Sequence, residues 1–309
     1  MTAVLEIILP IFVLILLGYL GRRTGRLGPT AASELNRFVV WFGLPAMLIN
    51  VTAGSDWEQL WQPEFVAAFT AGCIGVFLLT LFYRFWQTRS LADASVDALS
   101  ASYANTGYMG IPLCLLLFGD EGLQPALVAS LIVVCVLFAL AIACLETGLN
   151  AGQSPLRTLI TVVKALARNP MVVSPLLGLA WSFSGAPMPK PVGQVLTLLG
   201  AATVPCALVS LGLFLAREQR GGQAAAWPLV GLKLIVQPAI TAFFAFRVFQ
   251  LPTLWASAAL LLSALPTGTG PFMLAEYYDR GAALAARVIL LSTLGGLLTL
   301  SACLYLLGF

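Results

Sequence analysis

The 309-residue chain has no histidine and few charged residues. Without imidazole it has no histidine metal site, no Ser-His or Cys-His catalytic pair and no histidine proton relay. Charged residues make up 9% of the chain, whereas about a quarter is usual in soluble domains. This is too little polar surface for a soluble protein of this length, so the apolar residues, 60% of the total, must face lipid. The net charge of +3 is too small to indicate nucleic-acid binding.

The six cysteines lie in apolar stretches, and no two of them have C-x-x-C spacing. This pattern is typical of small buried hydrophobic residues and argues against a disulfide framework or a metal site. We therefore expect no cofactor and no bound metal, apart from a coupling proton or sodium ion.

Apolar runs long enough to cross a hydrocarbon core as helices, about 20 residues each, occur throughout the chain. Runs without a charged residue are 65–83, 98–118, 123–145, 192–216, 251–275 and 288–309. Shorter runs, or runs with one charge, are 3–21, 35–53, 171–188 and 227–246. The runs are too long for barrel strands and lack their alternation. The sequence thus predicts an all-α integral membrane protein with ten transmembrane helices.

Most basic residues lie in alternate connections between these runs. They are Arg22, Arg23, Arg26, Arg37, Arg84, Arg89, Arg157, Lys164, Arg168, Arg217, Arg220, Arg280 and Arg287. The positive-inside rule makes these connections cytoplasmic and puts both termini outside. The basic segment 155–168 has apolar residues at helical spacing. It is either a cytoplasmic amphipathic helix on the membrane surface or an early start of the sixth span.

Short patterns recur at one offset along the chain, which indicates an internal repeat. The first and sixth spans share Pro10 and Pro170, Gly18 and Gly178, and Gly25 and Gly185, each pair 160 residues apart. Pro45 and Pro205 are also 160 apart, and Thr106-Gly107 recurs as Thr267-Gly268 at 161. Each half has an odd number of spans, five, so the second half must be inverted, as in secondary transporters. We predict repeats at 1–150 and 170–309, joined by the linker 151–169.

The fourth and ninth spans each have glycines and a proline near their middle, which weaken a helix. A break within lipid persists only where it lines a protein-buried cavity, so corresponding breaks in inverted halves indicate a binding site. Two crossing breaks would present two helix N-termini, which suit a carboxylate. The alternative is a pair of kinked helices packed through glycines. The candidate binding residues are Asn105, Thr106, Gly107, Gly110, Pro112, Pro266, Thr267, Gly268, Thr269 and Gly270.

A few polar or charged side chains within or beside the spans are the candidates for charge or proton coupling. Lys233 either snorkels to the cytoplasm or approaches the site, and Gln237 lies one turn further on the same face. Asp97 and Glu276 flank the two broken spans. Without histidine, these two carboxylates and Lys233 are the remaining proton carriers.

The fourth-helix motif of the auxin efflux carrier family closely resembles the run Asn105-Thr106-Gly107-Tyr108-Met109-Gly110-Ile111-Pro112. Its second helix is similar to Leu35-Asn36-Arg37-Phe38 with Leu44-Pro45-Ala46, and its eighth to Lys233 with Gln237-Pro238. Its ninth and tenth helices resemble the stretch from Pro266-Thr267 to Leu300. The resemblance covers nearly the whole chain. One departure is Gly270 followed by Pro271, where relatives often have an asparagine.

The resemblance implies a fold like that of the bile acid and auxin transporters, with broken helices four and nine crossing at the substrate. It also implies a transport domain that moves like an elevator against a scaffold, and a homodimer. The expected function is secondary transport of a small organic anion across the bacterial inner membrane. Its substrate would be a mono- or dicarboxylate such as malate or malonate, or an auxin-like acid. The alternatives are a sodium-coupled symporter of the bile-acid type and a passive channel. An enzyme is not expected, because no nucleophile–base or metal constellation is present.

Overall fold

A computed structural model describes residues 2–54, 62–152, 154–216 and 223–308. Within these ranges the regular elements are helices and no strand forms. The helices in chain order are α1 Thr2–Arg23, α2 Ala31–Ala53, α3 Pro63–Thr88, α4 Leu91–Ser102, α5 Ile111–Phe118, α6 Leu123–Leu149, α7 Pro155–Arg168, α8 Pro170–Phe183, α9 Lys190–Leu215, α10 Ala225–Val248, α11 Thr253–Ala264, α12 Gly270–Tyr277 and α13 Ala282–Leu307.

Six helices in the described ranges, α2, α3, α6, α9, α10 and α13, are each long and apolar enough to cross a membrane. The number rises to seven if α7 and α8 together form one bent span. Large apolar side chains such as Phe82, Leu198 and Leu298 are exposed on the outside of the bundle. Lipid is the solvent in which such a surface is stable. The structure therefore agrees with the predicted all-α membrane protein.

Two of the long helices contain a wide π-helical turn beside a proline. In α2 this turn is Val39–Gly43 and precedes Pro45, and in α10 it is Leu232–Val236 and precedes Pro238. Proline lacks an N–H and its ring collides with the carbonyl four residues earlier, so the preceding turn widens. The widened turns leave α2 and α10 continuous, in contrast to the interruptions in 91–118 and 253–277.

The helices pack as two groups. One group contains α1, α2, α8 and α9, and the other contains α3, α4, α6 and α10–α13. Glycines bring the backbones of the first group close together, because a side chain at Gly18 or Gly212 would collide with the main chain of the other helix. Buried phenylalanines, including Phe65, Phe69 and Phe77, fill the second group.

Helix α7 is amphipathic and separate from α8. Ser154 caps its start by accepting a hydrogen bond from the Arg157 N–H, and the two helices meet at an angle of 65°. Leu156, Leu159 and Val163 are exposed along one side of α7. Since the bend interrupts the helical path, α7 is not a straight extension of α8.

Candidate functional site

The structure interrupts two helical segments at the positions where the sequence predicts breaks. In the first segment, α4 ends at Ser102, and the helical path resumes with a π-turn, Thr106–Gly110, that leads into α5. In the second segment, α11 ends at Ala264, and the helical path resumes at Gly270 with α12. A proline lies in the first turn of both α5 and α12. Proline has no N–H and a fixed φ, so it favours a helix start at that point.

The two interruptions meet and are bonded to each other through the main chain, and we call this contact the crossing. The Asn105 N–H donates to the Pro266 carbonyl at 2.9 Å, and the Gly268 N–H donates to the Tyr103 carbonyl at 3.0 Å. These bonds form an isolated antiparallel bridge between Ala104 and Thr267. Main-chain groups that leave a helix within lipid need such partners, because no water is available there.

Thr267 connects the crossing to α4 and α13 through two hydrogen bonds. Its N–H donates to the Ser292 hydroxyl at 3.0 Å, and its own hydroxyl donates to the Ser100 carbonyl at 2.9 Å. The Thr267 side chain is therefore already hydrogen-bonded and does not line the neighbouring cavity. Among the predicted binding residues, Pro266, Thr267 and Gly268 form the crossing itself.

A small cavity of about 40 Å³ lies beside the crossing. It opens between the two helix groups, because α2 forms one wall while both interruptions, α6 and α12 form the rest. Its lining residues are Leu44, Met47, Leu48, Tyr103, Ala104, Asn105, Thr106, Gly107, Val134, Phe138, Thr269, Gly270 and Met273. The structure thus brings five of the predicted binding residues, from both halves of the chain, to one cavity.

Three buried side chains supply polar groups to this cavity. Asn105, Thr106 and Thr269 are 7%, 1% and 3% exposed, and their side chains form no hydrogen bond with another described residue. The first N–H groups of a helix also have no acceptor within it, and the helix dipole makes that end partially positive. An amide, two hydroxyls and two helix starts in an apolar cavity form an arrangement suited to an anion.

Gly270 lies directly against the ring of Tyr103. A Cβ atom at position 270 would be 2.5 Å from Cζ of Tyr103 and 2.9 Å from both Cε atoms. The ring also meets Phe138 edge-on, with 6.0 Å between ring centroids. Tyr103 therefore fills the space that a side chain at position 270 would need. Sequence reasoning missed Tyr103, although an aromatic residue next to a helix break and a glycine in the facing break were both visible.

The two glycines of the first break differ in their surroundings. A Cβ at Gly107 would meet nothing within 4 Å, whereas one at Gly110 would lie 2.6 Å from Cδ2 of Leu262. Gly110 therefore lets the two broken segments approach each other, and Gly107 borders open space in the cavity. Pro112 occupies the first turn of α5, and its side chain lies outside the described residues.

Gly107→Ala is expected to affect ligand binding, and Gly110→Ala is expected to affect stability. The first adds a methyl group to the cavity without a collision, so stability stays near wild type while large ligands bind more weakly. The second overpacks the contact with Leu262, and overpacking costs typically about 1–3 kcal/mol of stability. Thermal unfolding and ligand binding of both purified variants test this. A strongly destabilised Gly107→Ala variant would contradict the open cavity.

Lys233 and Gln237 are fully buried in α10 and face the ends of the two broken helices. The Lys233 Nζ donates to the Ser263 carbonyl at 2.8 Å, and the Gln237 Nε2 donates to the Ser102 carbonyl at 3.0 Å. The snorkelling alternative for Lys233 is therefore wrong. Neither side chain lines the cavity, so their contact is with the helix ends behind it.

The two carboxylates predicted as proton carriers lie away from the cavity. Asp97 is buried and forms an ion pair with Arg84 at 2.7 Å, and its neighbour Asp93 pairs with Arg280 at 3.0 Å. Glu276 is partly buried in the last turn of α12. In the described part of the chain no three His, Cys, Asp or Glu side chains gather as a metal site would require.

The chain is similar to known membrane transport proteins over nearly its whole length. A family model described as "Membrane transport protein" matches residues 3–304. A protein of Rhizobium meliloti (strain 1021) named "Putative malonate transporter" is 28% identical over 99% of this chain and 96% of its own length. An uncharacterized transporter of Methanocaldococcus jannaschii is 26% identical over 96% of both chains. Auxin efflux carrier component 8 of Arabidopsis thaliana is 24% identical over 87% of this chain and 88% of its own.

Proposed function

Because the chain belongs to this family of membrane transport proteins, which includes the auxin efflux carriers, we propose that it is a secondary transporter of a small organic anion. The observation that carries the proposal is the cavity at the crossing. Two helix starts meet there with the side chains of Asn105, Thr106 and Thr269, and these three side chains have no other described partner. In secondary transporters such half-helix N-termini point at anionic substrate groups.

The proposed substrate is a mono- or dicarboxylate of the size of malate or malonate, or an auxin-like acid. The cavity has a volume of about 40 Å³, below the roughly 300–1,000 Å³ usual for small-molecule sites, so we expect it to widen when a substrate enters. The name of the Rhizobium meliloti relative supports a dicarboxylate. The apolar wall formed by Leu44, Met47 and Leu48 would face the uncharged part of the substrate.

The architecture we propose has ten transmembrane helices in two inverted repeats, 1–150 and 170–309, with α7 as a linker on the cytoplasmic surface. The grouping of α1 and α2 with α8 and α9 supports it, since these are the first two helices of each half. That group would be the scaffold, and the remaining helices would carry the cavity in an elevator-like motion. Both termini would face the periplasm of a bacterial inner-membrane protein, and the protein would be a homodimer.

The driving force we propose is an ion gradient or the gradient of the substrate itself. The chain has no G-x-x-x-x-G-K-[ST] motif for ATP. Alternating access is supported by the position of the cavity, which lies between the two helix groups rather than within one of them. The protein would act as a carrier and catalyse no covalent step.

The test is a ligand screen followed by counterflow. Purified protein is heated with a panel of mono- and dicarboxylates, matched neutral amides and amines, at two pH values. We expect carboxylates to raise the unfolding temperature and the uncharged and cationic analogues to leave it unchanged. Stabilisation by neutral or cationic solutes alone would overturn the anion proposal.

Counterflow distinguishes a carrier from a channel. Proteoliposomes loaded with the labelled carboxylate are diluted into buffer with or without unlabelled substrate. External substrate should accelerate loss of the label from a carrier, because the loaded site returns faster than the empty one. Loss that is independent of external substrate would indicate a channel, and loss that requires sodium would indicate the sodium-coupled alternative.

A further inference from the structure

The ends of the two broken helices are held by neighbouring residues of one helix. Ser102 and Ser263, whose carbonyls accept the bonds, are 161 residues apart, the same offset that relates Thr106 to Thr267. Gln237 bonds to the first carbonyl and Lys233 to the second, and the two donors are one turn apart on α10. A single turn of α10 therefore supports equivalent points of both breaks.

The two supports differ in chemical type. Lys233 is 0% exposed, and within the described residues its ammonium forms no ion pair with a carboxylate. Position 73, which is 160 residues earlier, is a buried cysteine that contacts Nε2 of Gln237 at 3.2 Å. The first break thus has an amide at its helix end, and the second has a lysine.

A cation at this place has a physical reason. The last carbonyls of a helix have no partner within it, and the end of the helix is partially negative. In secondary transporters, half-helix C-termini and unwound carbonyls coordinate the coupling cation. The Lys233 ammonium occupies such a position, since Ser263 is in the last turn of α11, directly before the break.

We propose that Lys233 is a tethered cation that takes the place of a coupled metal ion at the break between α11 and α12. Lys233 is then a positioning residue, because it acts on the cavity through the helix end. The inference rests on the proposed transport function for its meaning, whereas the cation dependence of unfolding can be tested without a substrate. It implies that the wild-type protein holds this break without sodium.

Removing the tethered charge should create a need for a free cation. The Lys233→Ala variant removes the donor to the Ser263 carbonyl, which is then free to accept a cation. We expect sodium or methylammonium, compared with choline at equal ionic strength, to raise its unfolding temperature by several degrees. Wild type and Lys164→Met, which removes an exposed lysine of α7, should show no such rise.

The Lys233→Gln variant separates charge from hydrogen bonding, because it keeps a donor and loses the cation. We expect it to unfold at a lower temperature than wild type and to transport at least tenfold more slowly. Wild-type stability and transport in Lys233→Gln would overturn the inference, as would a sodium requirement in the wild-type protein. If Lys233→Ala does not fold, the glutamine variant alone decides the question.

The cation dependence of unfolding is independent of the substrate assignment. If no carboxylate binds but Lys233→Ala acquires the cation dependence, the tethered cation stands and the proposed function fails. If carboxylates bind and Lys233→Gln resembles wild type, the function stands and the tethered cation fails.

Discussion

Asn105→Ala is expected to weaken substrate binding by about 10- to 100-fold while stability stays near that of wild type. A hydrogen bond to a charged group contributes about 1.5–3 kcal/mol, and each 1.4 kcal/mol is a factor of about ten in affinity. The side-chain amide has no other described partner, so its loss leaves no protein group unpaired. The main-chain bond from Asn105 to Pro266 remains. Ligand binding and thermal unfolding measure the two effects.

Thr267→Val is the matched control for Asn105→Ala. Its hydroxyl donates to the Ser100 carbonyl behind the cavity, so its removal should lower stability and change affinity little. Asn105→Asp would place a negative charge at the anion site and should weaken binding more than alanine does. Wild-type affinity in both Asn105 variants would exclude this residue from the binding site.

Gly270→Ala is expected to abolish detectable binding, because the new methyl group and the Tyr103 ring cannot occupy the same space. The Cβ atom would be 2.5 Å from Cζ of Tyr103. The ring must then turn into the cavity that it now borders, or the two breaks must separate. Overpacking of this kind also costs about 1–3 kcal/mol of stability. Binding is measured by calorimetry, and stability by thermal unfolding.

A second substitution should rescue Gly270→Ala. In the double variant with Tyr103→Ala the methyl group has room, so binding should be stronger than in Gly270→Ala alone. Such non-additivity is what residues in direct contact show in a double-mutant cycle. Gly231→Ala adds a methyl group in open space and should be near neutral. Independent, additive losses would mean that Tyr103 is not the obstacle.

The resemblance to the auxin efflux carriers predicts an asparagine near position 270. The Tyr103 ring explains why this chain has a glycine there instead. An asparagine would collide with the Tyr103 ring even more than alanine would. The ring takes that space instead, and Pro271 starts α12 directly behind it. The polar side chain on this half of the cavity is Thr269, at the preceding position.

The breaks were predictable from the sequence because their causes are local. Glycine and proline weaken the interior of a helix, and both interruptions lie where those residues cluster. The spans were predictable for a similar reason, since a long apolar helix is recognisable by composition. The sequence did not indicate in which direction each polar side chain points. Thr267 and Thr269 are two residues apart, yet one bonds to Ser100 and the other lines the cavity.

The remaining features depend on contacts between distant parts of the chain. Leu44 and Met47 of α2 form a wall of the cavity because two helix groups meet there, which no local pattern reveals. The direction of Lys233 likewise follows from the position of the α11 end, thirty residues away. Composition had left snorkelling and an inward orientation equally open.

The bridge between the two breaks is made entirely of main-chain atoms, from Asn105 to Pro266 and from Gly268 to Tyr103. Side-chain substitutions in the cavity therefore do not remove a bond from it, provided that the backbone keeps its path. Mutation can alter the amide, the hydroxyls and the apolar wall one at a time, and the crossing that presents them stays in place. A protein built in this way can acquire a new ligand by small steps, without first losing the structure that any ligand would need.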